Sequence, residues 1–276
     1  MKELPKRILS GVIILAVTAA GVLVNEYLYT ALMAAVVVLS TIEYFRMAVG
    51  RHLLKEMVCI ILAEVSAVSF FLWQNASALL VAAVLVAIAL LLMIVDGARK
   101  PDFNVHLFFP LLYILSPVLV SFALVNGPES RYIWVFIAPV IAIAWIADIG
   151  AYAIGMAFGQ RPDSPKLCPA LSPHKSWAGV AGAVLFALVS AVLGSLVYGW
   201  LHVEAMTLIQ WLGLALVVAV AGIFGDLFES LIKRHAGVKD AGRLIPGHGG
   251  LMDRFDDALF VLPLATVYLL AFQQIG

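Results

Sequence analysis

Long apolar runs, separated by short polar segments, make up most of the chain. A membrane-spanning helix needs about 20 predominantly apolar residues, and nine runs are close to that length or exceed it. The pattern therefore predicts an all-α, polytopic integral membrane protein with about nine transmembrane helices. The nine runs are residues 8–24, 28–48, 57–73, 77–95, 106–125, 132–158, 178–202, 206–225 and 255–274.

The composition agrees with this prediction and excludes several classes of protein. Of the 276 residues, 63% are hydrophobic and 12% are charged, whereas a soluble domain carries about 25% charged residues. Seventeen Lys and Arg balance seventeen Asp and Glu, so there is no basic excess for binding a nucleic-acid backbone. Cys59 and Cys168 have no CxxC partner, which argues against a disulfide framework or a zinc site. We expect a lipid bilayer as the partner and no nucleic acid.

The positive residues are distributed unevenly between the two sides of the predicted spans. Nine spans place all but one of the 17 Lys and Arg on one side, and the exception is Arg131. Because short cytoplasmic loops are enriched in Lys and Arg, the amino terminus is predicted to be cytoplasmic. The two long loops, residues 159–177 and 226–254, lie on that same side.

These loops divide the chain by expected role. Residues 1–131 are predicted to form an amino-terminal region of about five spans. Residues 132–276 are predicted to form a catalytic region of about four spans with the two long loops. We therefore expect the active site on the cytoplasmic side of the carboxyl-terminal helices.

Two carboxylates fall inside amino-terminal spans, where an ionisable residue is unfavourable unless it has a role. Glu43 precedes Arg46 by three residues, and our interpretation is an interfacial ion pair between them. Glu64 has no obvious partner in its own span. For Glu64 we expect a structural hydrogen bond to another helix.

The densest group of charged residues lies in the segment 225–257. If the eighth helix continues past Gly225, a set of polar residues shares one of its faces at i, i+3, i+4 and i+7. At the start of the ninth helix three carboxylates follow the i, i+3, i+4 spacing, where the helix dipole favours negative charge. The two sets are Asp226, Glu229, Ser230 and Lys233, and Asp253, Asp256 and Asp257.

This segment suits a metal ion held against phosphate. Mg²⁺ is usually bound by one or two carboxylates together with substrate phosphate oxygens. Five glycines between residues 237 and 250 allow a tight backbone path close to a ligand. The pattern predicts a site for phosphoryl or nucleotidyl transfer.

The loop 159–177 adds groups that suit a phosphate. Its four prolines prevent a continuous helix. Ser172, Lys175 and Ser176 offer two hydroxyls and a cation next to the seventh helix, and Ser176 can serve as the N-cap of that helix. Free backbone N–H groups at a helix start, with Lys175 adjacent, are suited to bind phosphate.

These residues resemble the signature of the phosphatidate cytidylyltransferases, also called CDP-diacylglycerol synthases. A looser second match covers the region from Asp148 to Gly155 and the loop that follows it, and the amino-terminal half matches only in hydropathy and in Glu43-Tyr44. The main match runs without a gap through Ser230-Leu-Ile-Lys233-Arg234, Lys239-Asp240-Ala-Gly242 and Ile245-Pro246-Gly-His248-Gly249-Gly250-Leu-Met-Asp253-Arg254-Phe-Asp256. The second match in the loop is Ser172-Pro173-x-Lys175-Ser176-Trp177-x-Gly179.

The resemblance implies a multi-pass inner-membrane enzyme that transfers CMP from CTP to phosphatidic acid with Mg²⁺ and releases pyrophosphate, in phospholipid biosynthesis. It also implies a homodimer. Carried over by motif position, the metal-binding carboxylates would be Asp226, Asp253 and Asp256, which together with Lys233 would form the catalytic set. The substrate-binding residues would be Ser172, Lys175, Ser176, Ser230, Arg234, Lys239, His248 and Arg254.

The sequence departs from the family pattern at Ile149, Ala178 and Asp257. The resemblance implies a hydroxyl at the first of these positions, Glu at the second and a small residue at the third. None of the three is an implied metal ligand. The departures leave open the preference for CTP over dCTP and the lipid acceptor.

Three other activities were weighed against this one. A CDP-alcohol phosphotransferase would space its last carboxylates as Gly-x3-Asp-x3-Asp, whereas this chain has Gly250-x2-Asp253-x2-Asp256, so that rival fails. A CTP-dependent lipid alcohol kinase uses similar chemistry and stays an alternative. An ion-coupled membrane transporter would place its coupling sites in two related halves, and the sequence has no such symmetry.

Overall fold

The computed structural model describes residues 13, 16–17, 26–49, 54, 57–58, 60–65, 84, 88, 137–203, 206–245 and 249–272. Most of these residues are helical, as predicted, and the remaining regular structure is one short pair of strands. The elements are α1 (Glu26–Tyr44) with a π-helical continuation (Phe45–Val49), α2 (Ala138–Phe158), β1 (Lys166–Cys168), β2 (Ser172–Ser176), α3 (Trp177–Trp200), α4 (Leu208–His235) and α5 (Met252–Phe272).

Among the described residues, α2, α3 and α4 are long and apolar enough to cross a membrane. All three fall on predicted spans, and α1 and α5 fall on two others. The helical class is therefore confirmed, with three helices suited to span a membrane, whereas the number of nine spans stays a prediction. The predicted spans that lie wholly or largely outside the described residues are 8–24, 57–73, 77–95 and 106–125.

Helix α4 is longer than the apolar run that predicted it. The run ends at residue 225, but the helix continues for ten more residues to His235. Asp226, Glu229 and Lys233 are consequently helical and lie one turn apart along the same side. The condition for the shared face is therefore met, and the loop predicted from residue 226 begins only after His235.

The residues divide into two compact units. The first comprises residues 1–126 and 235–255, and the second comprises residues 127–234 and 256–276. Helix α5 begins in the first unit and enters the second after Phe255. The predicted division of the chain at residue 131 stays a prediction.

In the second unit, α2 and α3 approach closely through glycines. A Cβ atom at Gly182 would lie 2.6 Å from Ile154 Cβ, and one at Gly150 would lie 2.6 Å from the Gly182 carbonyl oxygen. Gly155 and Gly179 face each other in the same way, since a Cβ at Gly155 would be 3.5 Å from Gly179 Cα. Small residues allow helix backbones to approach where lipid provides no hydrophobic drive. The contact fixes the end of α2 beside the start of α3.

The loop between α2 and α3 contains two strands that the prolines did not predict. Strands β1 and β2 pair antiparallel, with Lys166 opposite Ser176 and Cys168 opposite Ser172. The predominantly helical class stands, and this short hairpin is an addition that the sequence did not predict. The expected interruption of the helix is confirmed, and so is the cap, because Ser176 Oγ accepts a hydrogen bond from Gly179 N–H at 3.2 Å.

In the first unit, a buried hydrogen bond joins α1 to the helical residues 60–65. Thr41 Oγ1 donates to Glu64 Oε1 at 2.7 Å, and both side chains are almost fully buried. The structural hydrogen bond expected for Glu64 is confirmed.

Candidate active site

An acidic cluster, which we define as Asp226, Glu229, Asp256 and Asp257, lies in the second unit. Asp226 and Glu229 are on α4, and the other two are in the first turns of α5. The carboxyl groups of Asp256 and Asp226 are in hydrogen-bond contact, and Glu229 and Asp257 are close enough to act on Asp256 electrostatically. Carboxylates repel one another at such separations, so the cluster requires compensating positive charge.

Close packing of α4 against α5 brings these carboxylates together. A Cβ atom at Gly225 would lie 2.8 Å from the Asp256 carbonyl oxygen and 3.0 Å from Phe260 Cβ. One turn further along, the rings of Phe228 and Phe260 are 6.0 Å apart between centroids. Because Gly225 has no side chain, Asp226 on the next position of α4 is carried close to the first turns of α5.

Two lysines supply part of the compensating charge. Lys175 Nζ lies 2.5 Å from Asp226 Oδ2, and Lys233 Nζ donates to Glu229 Oε2 at 2.6 Å. The Lys233–Glu229 pair is the deeper one, with side chains 14% and 2% exposed, whereas those of Lys175 and Asp226 are 26% and 41% exposed. Two lysines thus accompany four carboxyl groups, of which Asp226 and Asp256 also contact each other.

The hairpin places Lys175 in this position. Lys175 lies in β2, and the β1–β2 turn is held to α4 by Arg234, whose Nε donates to the Leu171 carbonyl oxygen at 3.4 Å. Lys166 Nζ, at the start of β1, donates to the Gly159 carbonyl oxygen at 2.7 Å. The loop that sequence analysis assigned to phosphate binding thus contacts the helix that it assigned to metal binding.

In the first unit, Asp253 anchors a backbone loop. We define the glycine loop as residues 241–252, of which 246–248 are outside the described residues. Asp253 Oδ2 accepts backbone N–H groups from Ala241 at 2.9 Å and Gly250 at 2.7 Å. Gly249 has a φ of +85° and its backbone lies against the same carboxylate, a position that only glycine occupies readily.

Glu43 contacts the same loop, and the ion pair interpreted for it is wrong. Its carboxylate is buried, at 7% exposure, and Oε2 accepts the Met252 N–H at 2.9 Å, while Arg46 is exposed. Sequence analysis missed this contact because the partners are 209 residues apart. The available signal was the isolated match of Glu43-Tyr44 to the family pattern in the amino-terminal half.

The other residues assigned from the sequence are divided between the units. Asp226, Ser230, Lys233 and Arg234 lie on α4 in the second unit, with Lys175 paired to the first of them. Asp256 lies there too, as do Ser172 and the buried cap Ser176. Asp253, Lys239 and Arg254 lie in the first unit, the last two exposed, and His248 lies outside the described residues. The roles of these residues in binding stay predictions, as does a single site that joins Asp253 to Asp226 and Asp256.

The acidic cluster fits a divalent cation by its chemistry. Its ligand atoms are carboxylate oxygens, which Mg²⁺ prefers, and Mg²⁺ needs only one or two of them beside substrate phosphates. Across the described residues, no three His, Cys, Asp or Glu side chains are grouped tightly enough to enclose a metal by themselves. Asp226 and Asp256, which are in contact, are the residues that would hold the ion.

We predict that Asp253→Ala destabilises the protein more than Asp253→Asn. The alanine leaves two buried N–H groups without their acceptor, at about 1 to 3 kcal/mol each, whereas an amide oxygen can replace Oδ2. The melting temperatures of the two purified variants check this. If the asparagine variant melts like the wild type and also turns over at the wild-type rate, Asp253 is a loop anchor only and is not a metal ligand.

Apolar helices that carry an acidic cluster flanked by lysines define a helical membrane protein whose site suits cations and phosphates. The sequence model of the cytidylyltransferase family matches residues 5–272. The chain belongs to that family, which confirms the resemblance found in the signature residues.

Several bacterial proteins named phosphatidate cytidylyltransferase are similar to this chain. One from Staphylococcus aureus (strain COL) is 41% identical over 128 residues, which cover 46% of each chain. One from Bacillus subtilis (strain 168) is 40% identical over 143 residues, 52% of this chain and 50% of that protein. One from Mycobacterium tuberculosis (strain CDC 1551 / Oshkosh) is 38% identical over 151 residues, 54% of this chain and 42% of that protein. The chain therefore spans about half the length of the curated relatives it matches.

Proposed function

We propose that the protein is a phosphatidate cytidylyltransferase, a nucleotidyltransferase that makes CDP-diacylglycerol for phospholipid synthesis. The observation that carries the proposal is the contact of Asp226 with Asp256 between the two lysine pairs. That arrangement offers oxygen ligands for Mg²⁺ beside cations for phosphate, and the names of the similar proteins support the same reaction.

In the proposed reaction a phosphate oxygen of phosphatidic acid attacks the α-phosphorus of CTP. The new P–O bond joins CMP to the lipid phosphate, and the bond to the β-phosphate breaks, so that pyrophosphate leaves with its electrons. The attacking oxygen is already ionised, so no strong general base is required. The protein's contribution is to position the two substrates and to neutralise their charge.

The acidic cluster and its lysines divide that work. Asp226 and Asp256 would hold Mg²⁺, which when bound neutralises phosphate charge. Lys175, whose side chain is partly exposed although its Nζ atom is buried against Asp226, would turn to a triphosphate when Asp226 binds metal. Lys233 is held by its ion pair with the buried Glu229, and it places a positive charge in the more buried part of the acidic cluster. The set Ser172, Ser176, Ser230, Arg234, Lys239, His248 and Arg254 would contribute to substrate binding.

We also propose the finer topology. Nine spans, a cytoplasmic amino terminus and an active site on the cytoplasmic side are supported by the distribution of Lys and Arg, of which Arg131 alone falls on the outer side. An inner-membrane location, a homodimer and the use of phosphatidic acid rest on the family resemblance. Neither the lipid alcohol kinase nor the transporter is favoured by a contact among the described residues.

The decisive experiment is to incubate the purified protein with α-labelled CTP, phosphatidic acid and Mg²⁺. We expect the label to move into a CDP-lipid while pyrophosphate is released. A lipid kinase would leave the label in soluble CDP, and a transporter would leave CTP intact. Either result would contradict the proposal.

A further inference from the structure

We propose that Glu43 is a positioning residue that holds the glycine loop in place and thereby orients phosphate-binding groups next to it. The inference rests on the proposed function, because Lys239 and Arg254 are assigned there to substrate phosphates. Glu43 lies on α1, far from these residues in the sequence. It therefore links an amino-terminal helix to the loop that carries the family signature.

The first step in the argument is the position of the Glu43 carboxylate between the two ends of the loop. Near the start of the loop, Gly242 approaches so closely that a Cβ atom would overlap Glu43 Oε1. Near the end, a Cβ at Gly250 would lie 2.5 Å from Glu43 Oε2 and 2.7 Å from the Gly242 nitrogen. The two glycine backbones thus pack against each other and against one carboxylate.

The second step is electrostatic. The Met252 N–H that Glu43 accepts belongs to the first residue of α5, where the helix dipole favours a negative charge. Hydrogen bonds to an ionised acceptor are stronger than neutral ones. Met252 is fully buried, so removal of Glu43 would leave a buried N–H group without its acceptor.

The third step concerns Asp253, a second carboxylate that holds the glycine loop. Asp253 Oδ2 accepts N–H groups from Ala241 and Gly250, one at each end of the same loop. Between those ends, Ile245 N–H donates to the Gly249 carbonyl oxygen at 2.8 Å. Glu43 and Asp253 therefore hold the two ends of the loop together, directly before Arg254.

The experiment compares Glu43→Ala and Glu43→Gln with a matched pair, Glu64→Ala and Glu64→Gln, in the purified full chain. Glu64 is also a buried carboxylate of the first unit that accepts one hydrogen bond, but its donor is Thr41 and not the loop. Two quantities are measured for each variant. They are the rate of tryptic cleavage after Arg243, which is exposed in the loop, and the KM for CTP and for phosphatidic acid. Each variant is digested at a temperature that lies the same number of degrees below its own melting temperature.

We expect Glu43→Ala to raise the cleavage rate after Arg243 and the KM for CTP by about tenfold each, as for one lost hydrogen bond to a charged group. Glu43→Gln keeps an oxygen acceptor and should restore both values toward the wild type. Because CTP presents three phosphate groups, the KM for phosphatidic acid should change less. Glu64→Ala should lower the melting temperature without changing either value.

Two results would overturn the proposal. Equal cleavage in Glu43→Ala and Glu64→Ala would mean that Glu43 does not hold the loop. Faster cleavage with an unchanged KM for CTP would mean that Glu43 holds the glycine loop but that the loop does not orient the phosphate-binding groups. A wild-type protein that forms no CDP-lipid would instead refute the proposed function and with it the substrate role, while the cleavage rates would still decide whether Glu43 holds the loop.

Discussion

Asp226→Asn and Asp256→Asn should each lower turnover by about 10²-fold or more, while the melting temperature holds or rises. Each change keeps the shape of the side chain but removes a charge that the proposed Mg²⁺ requires, and a lost charge-stabilising group typically reduces kcat by about 10² to 10³. Stability should not fall, because each change also relieves repulsion within the acidic cluster. Turnover and melting temperature are measured on the same purified variants.

Asp257→Asn is the matched control. Asp257 belongs to the same cluster and is next to Asp256 in α5, but its Oδ1 accepts the Ala258 N–H and it is not an implied ligand. This variant should keep turnover within a few-fold of the wild type. An equal loss of turnover in Asp257→Asn would mean that the reaction depends on the total negative charge of the acidic cluster and not on Asp226 and Asp256 as metal ligands. Early melting of Asp226→Asn with normal turnover would identify Asp226 as a structural partner of Lys175.

Excess chelator should abolish CDP-lipid formation, and added Mg²⁺ should restore it. The reason is the proposed role of Asp226 and Asp256 as oxygen ligands, since Lys175 and Lys233 pair with only two of the four carboxyl groups of the acidic cluster. An ion that binds the folded state also stabilises it, so Mg²⁺ should raise the melting temperature of the wild type. It should raise that of Asp226→Asn less.

The stability measurement separates the metal site from the reaction. A wild-type protein that gains stability with Mg²⁺ but remains fully active in chelator would bind the ion without using it. Full activity in chelator together with no change in melting temperature would refute the metal site itself. Measurements at constant ionic strength exclude a general salt effect.

The features that could be predicted from the sequence are those set by local spacing. Apolar runs of sufficient length predicted α2, α3 and most of α4. The i, i+3, i+4 spacing of Asp226, Glu229 and Ser230 indicated which face they would share if α4 continued beyond its apolar part, and the helix does continue. The position of Ser176 before an apolar run predicted its role as a cap.

The features that were missed depend on contacts between distant segments. The strands of the hairpin are three and five residues long and include Pro173, too short for an alternating pattern to be recognised. Lys175 and Asp226 were both assigned to the site, but their direct pairing requires the fold of the hairpin onto α4. Glu43 acquires its partner only when α1 packs against the start of α5 within the first unit.

The pairing of Lys175 with Asp226 also has a consequence for how the protein should be handled. Both side chains are partly exposed, but the Lys175 Nζ atom is itself buried, and mobile ions screen buried charges much less than exposed ones. The contact of the hairpin with α4 should therefore tolerate changes of salt between purification and assay buffers.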